Sequence, residues 1–349
     1  MIDIQNKIFI VSINGTSNSG GVERVVFYLT RVFAGSGQVV IVDKDVINSY
    51  WLTRYFSKIL PAKIFRACLP MLNALYLIIN AKRGDTIISN GYQLIFYPID
   101  YLFVHGNMIG LLRAVFPEQR ICLSAIYEFI AGRFAKKIIA VSHNAKLQWQ
   151  KYYSLENKQF FVVNNCVDCE AFIPLARTHQ KIRVLFVGRL DKTKNPIKLL
   201  ELAQLIENYT DMELHIITNN HEGVENFMNM NNTVIQVGLD FNQIKHEYNK
   251  CDILFFPSLY EGFEMVTLEA LSSGIPVIGN DVGAVQELHA GDVPGVYIIK
   301  EDYITQIREI AENYFNFEKR ILIHNEIKKL SSIPSYMEKL KLIMEKDLS

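Results

Sequence analysis

A pattern of strand, polar turn and helix begins near residue 7 and begins again near residue 182, and this repetition constrains the fold more than any other feature. Residues 7–13, KIFIVSI, are short, apolar and β-branched, which is typical of a strand buried in a parallel sheet. The polar loop NGTSNSGG and a helical pattern follow. At Ile182 the stretch IRVLFVGRL, the turn DKTKNP and a helix from Pro196 repeat that order. The repetition predicts an α/β protein with two doubly wound domains.

Further short apolar runs supply the other strands of the two sheets. These predicted strands are 39–42, 86–89, 101–104, 137–141, 160–163, 214–217, 234–237, 253–256 and 276–278. At 349 residues the chain is too long for one ordinary core, in agreement with two domains. We predict a first domain over 1–172, a second over 173–328, and a helix within 329–349 that crosses back to the first domain.

Basic residues are concentrated in the first half of the chain, although the formal net charge is zero. Residues 51–150 contain 12 Lys or Arg against 4 Asp or Glu. Residues 50–83 mix basic residues with aromatic and aliphatic ones, a pattern that favours contact with an anionic membrane surface. The alternative is a solvated basic surface over ordinary domain core. The longest apolar run, between Arg66 and Lys82, is shorter than the ~20 residues that span a bilayer, so no transmembrane helix is predicted.

Cysteine usage bears on compartment and on metal binding. Five cysteines and no secretory signal favour a reducing cytoplasm. Cys166 and Cys169 form a lone CxxC, whereas a zinc site needs two further ligands at matching spacing. We therefore expect two ordinary thiols and no metal. We also expect no nucleic-acid partner.

The stretch SLYEGFEMVTLEALSSGIP, residues 258–276, predicts the main ligand site. An apolar strand leads into a loop that carries Glu261, and a helix that contains Glu269 follows and stops at Gly274. The carboxyl end of a strand followed by a helix N-terminus is where α/β proteins hold anionic ligands. Arg189 and Lys194, after the first strand of the second domain, are suited to bind a diphosphate.

Other residues are assigned from their chemistry and position. Glu269 can accept hydrogen bonds from two vicinal hydroxyls, as on a ribose, and Glu261 can do so for a sugar or oppose positive charge on a sugar carbon. Gly20-Gly21, before the first helix, lets backbone N–H groups approach a phosphate or forms only a tight turn. The loop lacks the pattern GxGxxG, so a dehydrogenase is not favoured. His105 follows a strand and lies on the functional edge of the sheet, where a lone His is also often structural.

Taken together, these stretches resemble the retaining GT-B glycosyltransferases of the family 4, or glycosyl transferases group 1, type, which includes bacterial mannosyl-, glucosyl- and rhamnosyltransferases. The matching stretches are SGGVERV, FVHG, AVSHNA, VVNNCVDCEAF, FVGRLDKTKNP and FFPSLYEGFEMVTLEALSSGIPVIGNDVGAVQEL. The two Glu residues keep the eight-residue separation of the family. The resemblance implies two Rossmann-like domains that face a deep cleft.

The resemblance also implies a role for each matched residue. The donor nucleotide would contact Gly20, Gly21, Arg189, Lys194, Gly238, Leu239, Asp240 and Glu269. The donor sugar would contact His105, Glu261, Gly262, Phe263, Glu264, Met265 and Val266. The acceptor would contact Asn107, Ser142 and Asn165 on the first domain. The catalytic set would be His105, Arg189, Lys194 and Glu261, with no metal and no other cofactor.

The expected activity is transfer of a sugar from a UDP- or GDP-sugar to a lipid-linked or polysaccharide acceptor, with retention of configuration. The expected setting is the synthesis of bacterial O-antigen, capsule or lipopolysaccharide at the inner face of the cytoplasmic membrane. A nucleotide-sugar epimerase of GT-B architecture and a non-catalytic sugar-binding protein are the alternatives. Two departures from the family pattern bear on the site: Glu264 stands where Gly or Pro is frequent, and Cys166 follows Asn165 where Gly is frequent.

Overall fold

The computed structural model describes residues 6–12, 21–33, 38–106, 123–219 and 221–345. Contacts divide the chain into two compact units. The first contains the described residues up to Asn164 and those from Ile343 onward, and the second contains Asn165–Leu342. The domain bounds 1–172, 173–328 and 329–349 stay predictions.

The first unit is built on a six-stranded parallel sheet in the order β2-β1-β3-β4-β5-β6. Its strands are β1 (Ile8–Val11), β2 (Val39–Val42), β3 (Thr86–Asn90), β4 (Ile99–Val104), β5 (Ala135–Ala140) and β6 (Gln159–Val162). The pattern IFIV in β1 is apolar at every position, and all four residues are buried, as expected of a central parallel strand. The strand order reverses between β1 and β3. Ligands of open α/β sheets bind at the carboxyl ends of strands at such a point.

Helices flank this sheet. They are α1 (Gly21–Phe33), α2 (Lys44–Ser49), α3 (Trp51–Ile59), α4 (Ala62–Asn80), α5 (Leu123–Phe134) and α6 (His143–Tyr153). Among the described residues, no helix has both the length and the apolar character that crossing a bilayer requires.

The second unit contains another six-stranded parallel sheet, in the order β12-β11-β10-β7-β8-β9. Its strands are β7 (Ile182–Val187), β8 (Met212–Thr218), β9 (Thr233–Val237), β10 (Ile253–Phe256), β11 (Val277–Gly279) and β12 (Val296–Ile298). The order reverses between β7 and β10, whose carboxyl ends therefore define the expected ligand position.

Helices follow the strands of the second unit as well. They are α7 (Pro196–Ile206), α8 (Phe241–Tyr248), α9 (Met265–Ser272), α10 (Gly283–Ala290), α11 (Tyr303–Asn313), α12 (Phe317–Ser331) and α13 (Ile333–Glu345), whose residues from Ile343 onward belong to the first unit. Helix α9 ends at Ser272, and two residues later Gly274 has a φ of +72°, which favours glycine. A Cβ there would lie 2.8 Å from the Arg320 backbone oxygen, so α12 also packs too closely for a side chain.

The predicted fold class is confirmed: there are two parallel sheets, and in each unit the first strand is followed along the chain by a helix. Strand β12 was not predicted. Its three residues, VYI, are too few to show a periodicity, and only the parallel pairing with β11 identifies the strand.

Candidate functional site

The candidate site of the second unit lies where β7 and β10 end, at the reversal of strand order. The loop after β7 contains Gly188 to Asn195, and the loop after β10 contains Pro257 to Glu264. The Leu259 N–H donates to the Thr193 carbonyl oxygen at 2.8 Å, which joins the two loops. The structure therefore brings together the two stretches in which the sequence predicts the phosphate and sugar contacts.

Lys194 and Glu261 form an ion pair at this junction. The Lys194 Nζ contacts the Glu261 Oε1, and both side chains are largely shielded, with exposed fractions of 14% and 17%. The ammonium also lies 5.0 Å from the centre of the Phe256 ring, a cation–π distance. A partly desolvated ammonium is a strong electrostatic group, so it is suited to an incoming anion.

Arg189 lies on the outer side of the same turn. Its guanidinium pairs with Asp191 Oδ2 at 3.0 Å, and 60% of the side chain is exposed. The other oxygen of Asp191 accepts from the backbone N–H groups of Thr193 and Lys194 at 3.0 and 3.3 Å. Asp191 therefore fixes both predicted phosphate ligands. Reasoning from the sequence missed this role, although an Asp two residues before a Thr in a polar turn is a capping signal.

Glu269 is almost completely buried in α9, with 1% of its surface exposed. The Tyr248 hydroxyl, at the end of α8, donates to Glu269 Oε2 at 2.7 Å. A buried carboxylate held by a hydroxyl is a rigid acceptor for further donors. Tyr248 was not predicted, because nothing in the sequence indicates which face of α8 meets α9.

Glu264, whose predicted contact with the donor sugar stays a prediction, is held by two groups of the second unit. Its Oε2 accepts from the Ala284 N–H at 2.8 Å, and its Oε1 accepts from the Thr267 hydroxyl at 2.5 Å. Helix α10 has Val282 at its N-cap, which offers no capping side chain, so the carboxyl of Glu264, the residue before α9, supplies that cap. Burial, together with the nearby Glu261 carboxylate, raises the pKa of Glu264 to about 7.

The rest of the stretch from Gly262 to Val266 is presented mainly by its backbone. The Phe263, Glu264 and Met265 side chains are buried, while Gly262 and Val266 are half-buried. Asn165, predicted as an acceptor contact, is itself buried and donates through Nδ2 to the Phe263 carbonyl oxygen at 2.7 Å. Its amide group therefore supports the loop of the predicted sugar pocket, and its acceptor role stays a prediction.

Gly238, Leu239 and Asp240 follow β9 as predicted for a stretch near the base. The Gly238 N–H donates to the Thr218 carbonyl oxygen at 2.9 Å. A Cβ at Gly238 would meet no atom within 4 Å, so space does not require glycine there. The backbone conformation does, because its φ is +74°. Asp240 caps α8 by accepting from the Gln243 N–H at 2.9 Å, and the Gln243 side chain accepts from the Asp240 N–H.

The first unit has a smaller polar cluster at the carboxyl edge of its own sheet. The His105 Nε2 lies 2.6 Å from Asn90 Oδ1, and Asn90 Nδ2 donates to the Ser12 hydroxyl at 3.4 Å. Burial lowers the pKa of His105 to about 4, so the ring is neutral at pH 7. Since a carboxamide oxygen only accepts, Nε2 carries the proton. Asn90 was not predicted, although a polar residue at a strand end was a usable signal.

The other site residues predicted in the first unit lie outside the described residues, begin a helix or cap one. Gly21 is the first residue of α1, while Gly20 and Asn107 lie outside the described residues. The Ser142 hydroxyl accepts from the Ala145 N–H at 3.0 Å and so caps α6. This engagement gives Ser142 a structural role beside the predicted acceptor contact.

The two thiols of the CxxC stretch are buried and free. Burial raises the pKa of both Cys166 and Cys169 above the ordinary thiol value, which keeps them protonated. Within the described ranges, no three His, Cys, Asp or Glu side chains are grouped so that they could hold a metal ion.

Comparison with known proteins shows what the fold and the second unit resemble. Residues 170–328 match the family model Glycosyl transferases group 1. The chain superposes on sucrose-phosphate synthase from Thermosynechococcus elongatus with a TM-score of 0.76 at 15% identity, covering 99% of both chains. It also superposes on Anabaena Alr3699/HepE in complex with UDP-glucose, with a TM-score of 0.70 at 15% identity over 97% of this chain and 99% of the other. The chain therefore has the GT-B fold, and residues 170–328 are a Glycosyl transferases group 1 domain.

Curated relatives add the biological setting of similar chains. A Klebsiella pneumoniae protein described as an uncharacterized 41.2 kDa protein in the cps region is 29% identical over 168 residues, 46% of each chain. The Campylobacter jejuni N-acetylgalactosamine-N,N'-diacetylbacillosaminyl-diphospho-undecaprenol 4-alpha-N-acetylgalactosaminyltransferase is 28% identical over 158 residues, 42% of each. The chain spans somewhat under half the length of these relatives.

Proposed function

We propose that the chain is a retaining glycosyltransferase. It transfers a sugar from a UDP- or GDP-sugar to a lipid-linked or polysaccharide acceptor in the synthesis of a bacterial surface glycan such as capsule, O-antigen or lipopolysaccharide. The observation that carries the proposal is the junction of the β7 and β10 loops. There the Lys194–Glu261 pair lies at the point where an open α/β sheet binds its ligands, and Glu269 follows in α9.

The donor nucleotide would bind the second unit. Glu269, held by Tyr248, would accept hydrogen bonds from the ribose hydroxyls. Lys194 and Arg189 would bind the diphosphate, and the N-terminus of α9 would add its partial positive charge. The GT-B structure that contains UDP-glucose supports this choice of donor class.

The reaction breaks the bond between the anomeric carbon and the diphosphate oxygen, and the bonding electrons leave with the diphosphate. Negative charge grows on that oxygen, so the fixed cations stabilise the transition state more than the ground state. The acceptor oxygen forms its bond on the same face of the sugar. Its proton passes to the departing phosphate. Glu261 and the neutral His105 would hold the sugar hydroxyls, and no metal ion is needed for charge neutralisation.

The acceptor would bind the first unit, at the cytoplasmic face of the membrane. A curated relative named for transfer to a diphospho-undecaprenol-linked glycan supports a lipid-linked acceptor. The basic, apolar region of residues 50–83 supports peripheral contact with the membrane.

A nucleotide screen followed by a product assay tests the proposal. UDP, GDP, ADP, TDP and CMP are compared by thermal shift in the presence of EDTA, and sugars of the preferred nucleotide are then supplied with lipid-linked acceptors. We expect a nucleoside diphosphate to raise the melting temperature, and proton NMR of the product to show the anomeric configuration of the donor. Stabilisation by none of the diphosphates, inversion at the anomeric carbon, or release of an epimerised free sugar without an acceptor would each contradict it.

A further inference from the structure

An open groove on the first unit shares no lining residue with the polar cluster around His105. It has a volume of about 470 Å³, within the range of sites for small molecules. Phe56 and Leu60, at the end of α3, line one side, and Met71, Leu75 and Ile78 of α4 line another. The groove follows the second half of α4, which ends just before β3 begins.

The chemistry of the lining restricts what the groove can bind. Every lining side chain is a hydrocarbon, an aromatic ring or a sulfur group, so none offers a nitrogen or oxygen to a ligand. A polar ligand would lose its hydration there and gain no hydrogen bond in return from the side chains. The groove therefore suits a flexible hydrocarbon chain.

Apolar side chains at the mouth of the groove are exposed to solvent. Met71 is 54% exposed, Ile78 63% and Phe96 62%. Phe96 has a φ of +57°, in the left-handed region that a bulky residue rarely occupies. Strained backbone of this kind concentrates at functional sites, and here it holds an aromatic ring outward at the groove.

Helix α3 presents three parallel stripes beside the groove. Phe56 and Leu60 line it, Tyr55 and Ile59 are 59% and 58% exposed, and the exposed basic pair Arg54 and Lys58 comes next. Successive residues of a helix are rotated by about 100°, so the stripes follow one another around α3 in that order. A progression from apolar groove to apolar rim to basic edge is the arrangement of a helix that lies in a membrane interface.

Charge identifies the occupant. Residues 51–84 contain six Lys or Arg and no Asp or Glu. A second copy of this chain would place like charge against like charge, which disfavours a symmetric dimer through this face. An anionic lipid surface supplies both a complementary charge and hydrocarbon chains. We propose that the groove binds one acyl chain of an anionic membrane phospholipid while α3 and α4 lie on the bilayer surface.

The acyl-chain groove would extend the membrane contact of the proposed function, and it rests on that proposed function. A chain-length series tests the groove directly. Hexyl, octyl and decyl phosphate are titrated calorimetrically into the full chain below their micelle concentrations. We expect about fourfold tighter binding for each added methylene. Affinity that is independent of chain length would overturn the proposal.

Neighbouring isoleucines of α4 provide a matched pair of variants. Ile78 lines the groove, whereas Ile79 is similarly exposed, at 57%, and does not. We expect Ile78→Asn to weaken decyl phosphate binding on the order of tenfold and Ile79→Asn to leave it within twofold. Equal losses in the two variants would show a general apolar surface instead of a chain-binding groove.

Cys68 gives an independent readout from inside the groove. It is half-buried, whereas Cys251 is fully buried. Decyl phosphate, and vesicles that contain phosphatidylglycerol, should slow the modification of Cys68 by N-ethylmaleimide, as read by peptide mass spectrometry with Cys251 as reference. Unchanged modification in the presence of saturating vesicles would contradict chain insertion.

Two further experiments identify the molecule that supplies the hydrocarbon chain. Geranyl phosphate has the same number of carbons as decyl phosphate, and tenfold tighter binding of geranyl phosphate would reassign the groove to an isoprenoid carrier. Vesicle binding should weaken about fivefold in each of the variants Arg54→Gln and Lys58→Gln. Unchanged vesicle binding in both variants would refute contact with an anionic lipid surface. Since the nucleotide screen contains no lipid, failure of the groove and failure of donor binding are separately visible.

Discussion

Glu264 gives a prediction in which structure and pH dependence can be worked out together. Its buried carboxyl caps α10 by accepting a hydrogen bond from the Ala284 N–H, and it accepts a second hydrogen bond from the Thr267 hydroxyl. We predict that Glu264→Gln keeps this geometry, because the amide oxygen can accept from Ala284 and the amide nitrogen can donate to the hydroxyl of Thr267. The variant differs mainly in having no charge to ionise.

The sign and size of the effect follow from the raised pKa. Burial and the neighbouring Glu261 raise the pKa of Glu264 from 4.5 to about 7. An acid of this kind holds its proton more tightly in the folded protein than in the unfolded chain. Its contribution to stability is therefore present below pH 4.5 and is lost as the pH rises through 7, by about 3 kcal/mol in total. Glutamine cannot ionise, so the variant should gain up to this amount over the wild type at pH 8 and stay within about 1 kcal/mol of it at pH 4.5.

Urea unfolding followed by circular dichroism at several pH values measures the difference between variant and wild type. The difference is needed because His105, whose pKa burial lowers from 6.5 to about 4, contributes the opposite slope, a loss of stability as the pH falls. Glu301→Gln removes an exposed carboxylate and controls for net charge. Parallel pH curves for Glu264→Gln and wild type, or a Glu264 carboxyl that titrates near 4.5 by carbon-13 NMR, would refute the reasoning.

Three further predictions concern the proposed donor site. Lys194→Ala should cost about 2–4 kcal/mol of transition-state stabilisation; a folded variant whose kcat/KM falls less than threefold would remove the phosphate role. Tyr248→Phe removes the hydroxyl that orients Glu269 and should weaken nucleoside diphosphate binding about threefold to tenfold, whereas unchanged calorimetric affinity would make that hydrogen bond purely structural. His105→Asn should lower kcat/KM about tenfold or more without altering the shape of the pH profile between 6 and 8, because the ring is already neutral there; a changed profile would show that His105 titrates in that range.

The fold was predictable because its information is local. Strands such as Val39–Val42 and Ile253–Phe256 are continuous apolar runs between turn residues, and the predicted bounds match the observed ones. The reversal of strand order between β7 and β10 is a matter of tertiary pairing, which no local pattern encodes. The sequence therefore predicted two doubly wound domains but not the order of their strands.

The sequence indicates candidate positions for the site but not the contacts that their side chains make. The sequence indicates Lys194 and Glu261 as candidates by their charge, but it does not show that they pair, because pairing depends on how loops 67 residues apart meet. Asn165 and Ser142 were predicted as acceptor contacts, and the structure uses both to hold neighbouring backbone. A side-chain amide or hydroxyl has the same appearance in a sequence whether it binds a ligand or a backbone group.

The central claim is that the second unit binds the donor nucleotide with Glu269 on its ribose. Calorimetric titration of the preferred nucleoside diphosphate and of its 2′,3′-dideoxy analogue, into wild type and Glu269→Gln, measures that contact alone. We predict that the wild type prefers the ribonucleotide by about tenfold or more and that the variant loses this preference. Equal affinity of the wild type for the two nucleotides, or an undiminished preference in the variant, would contradict the account.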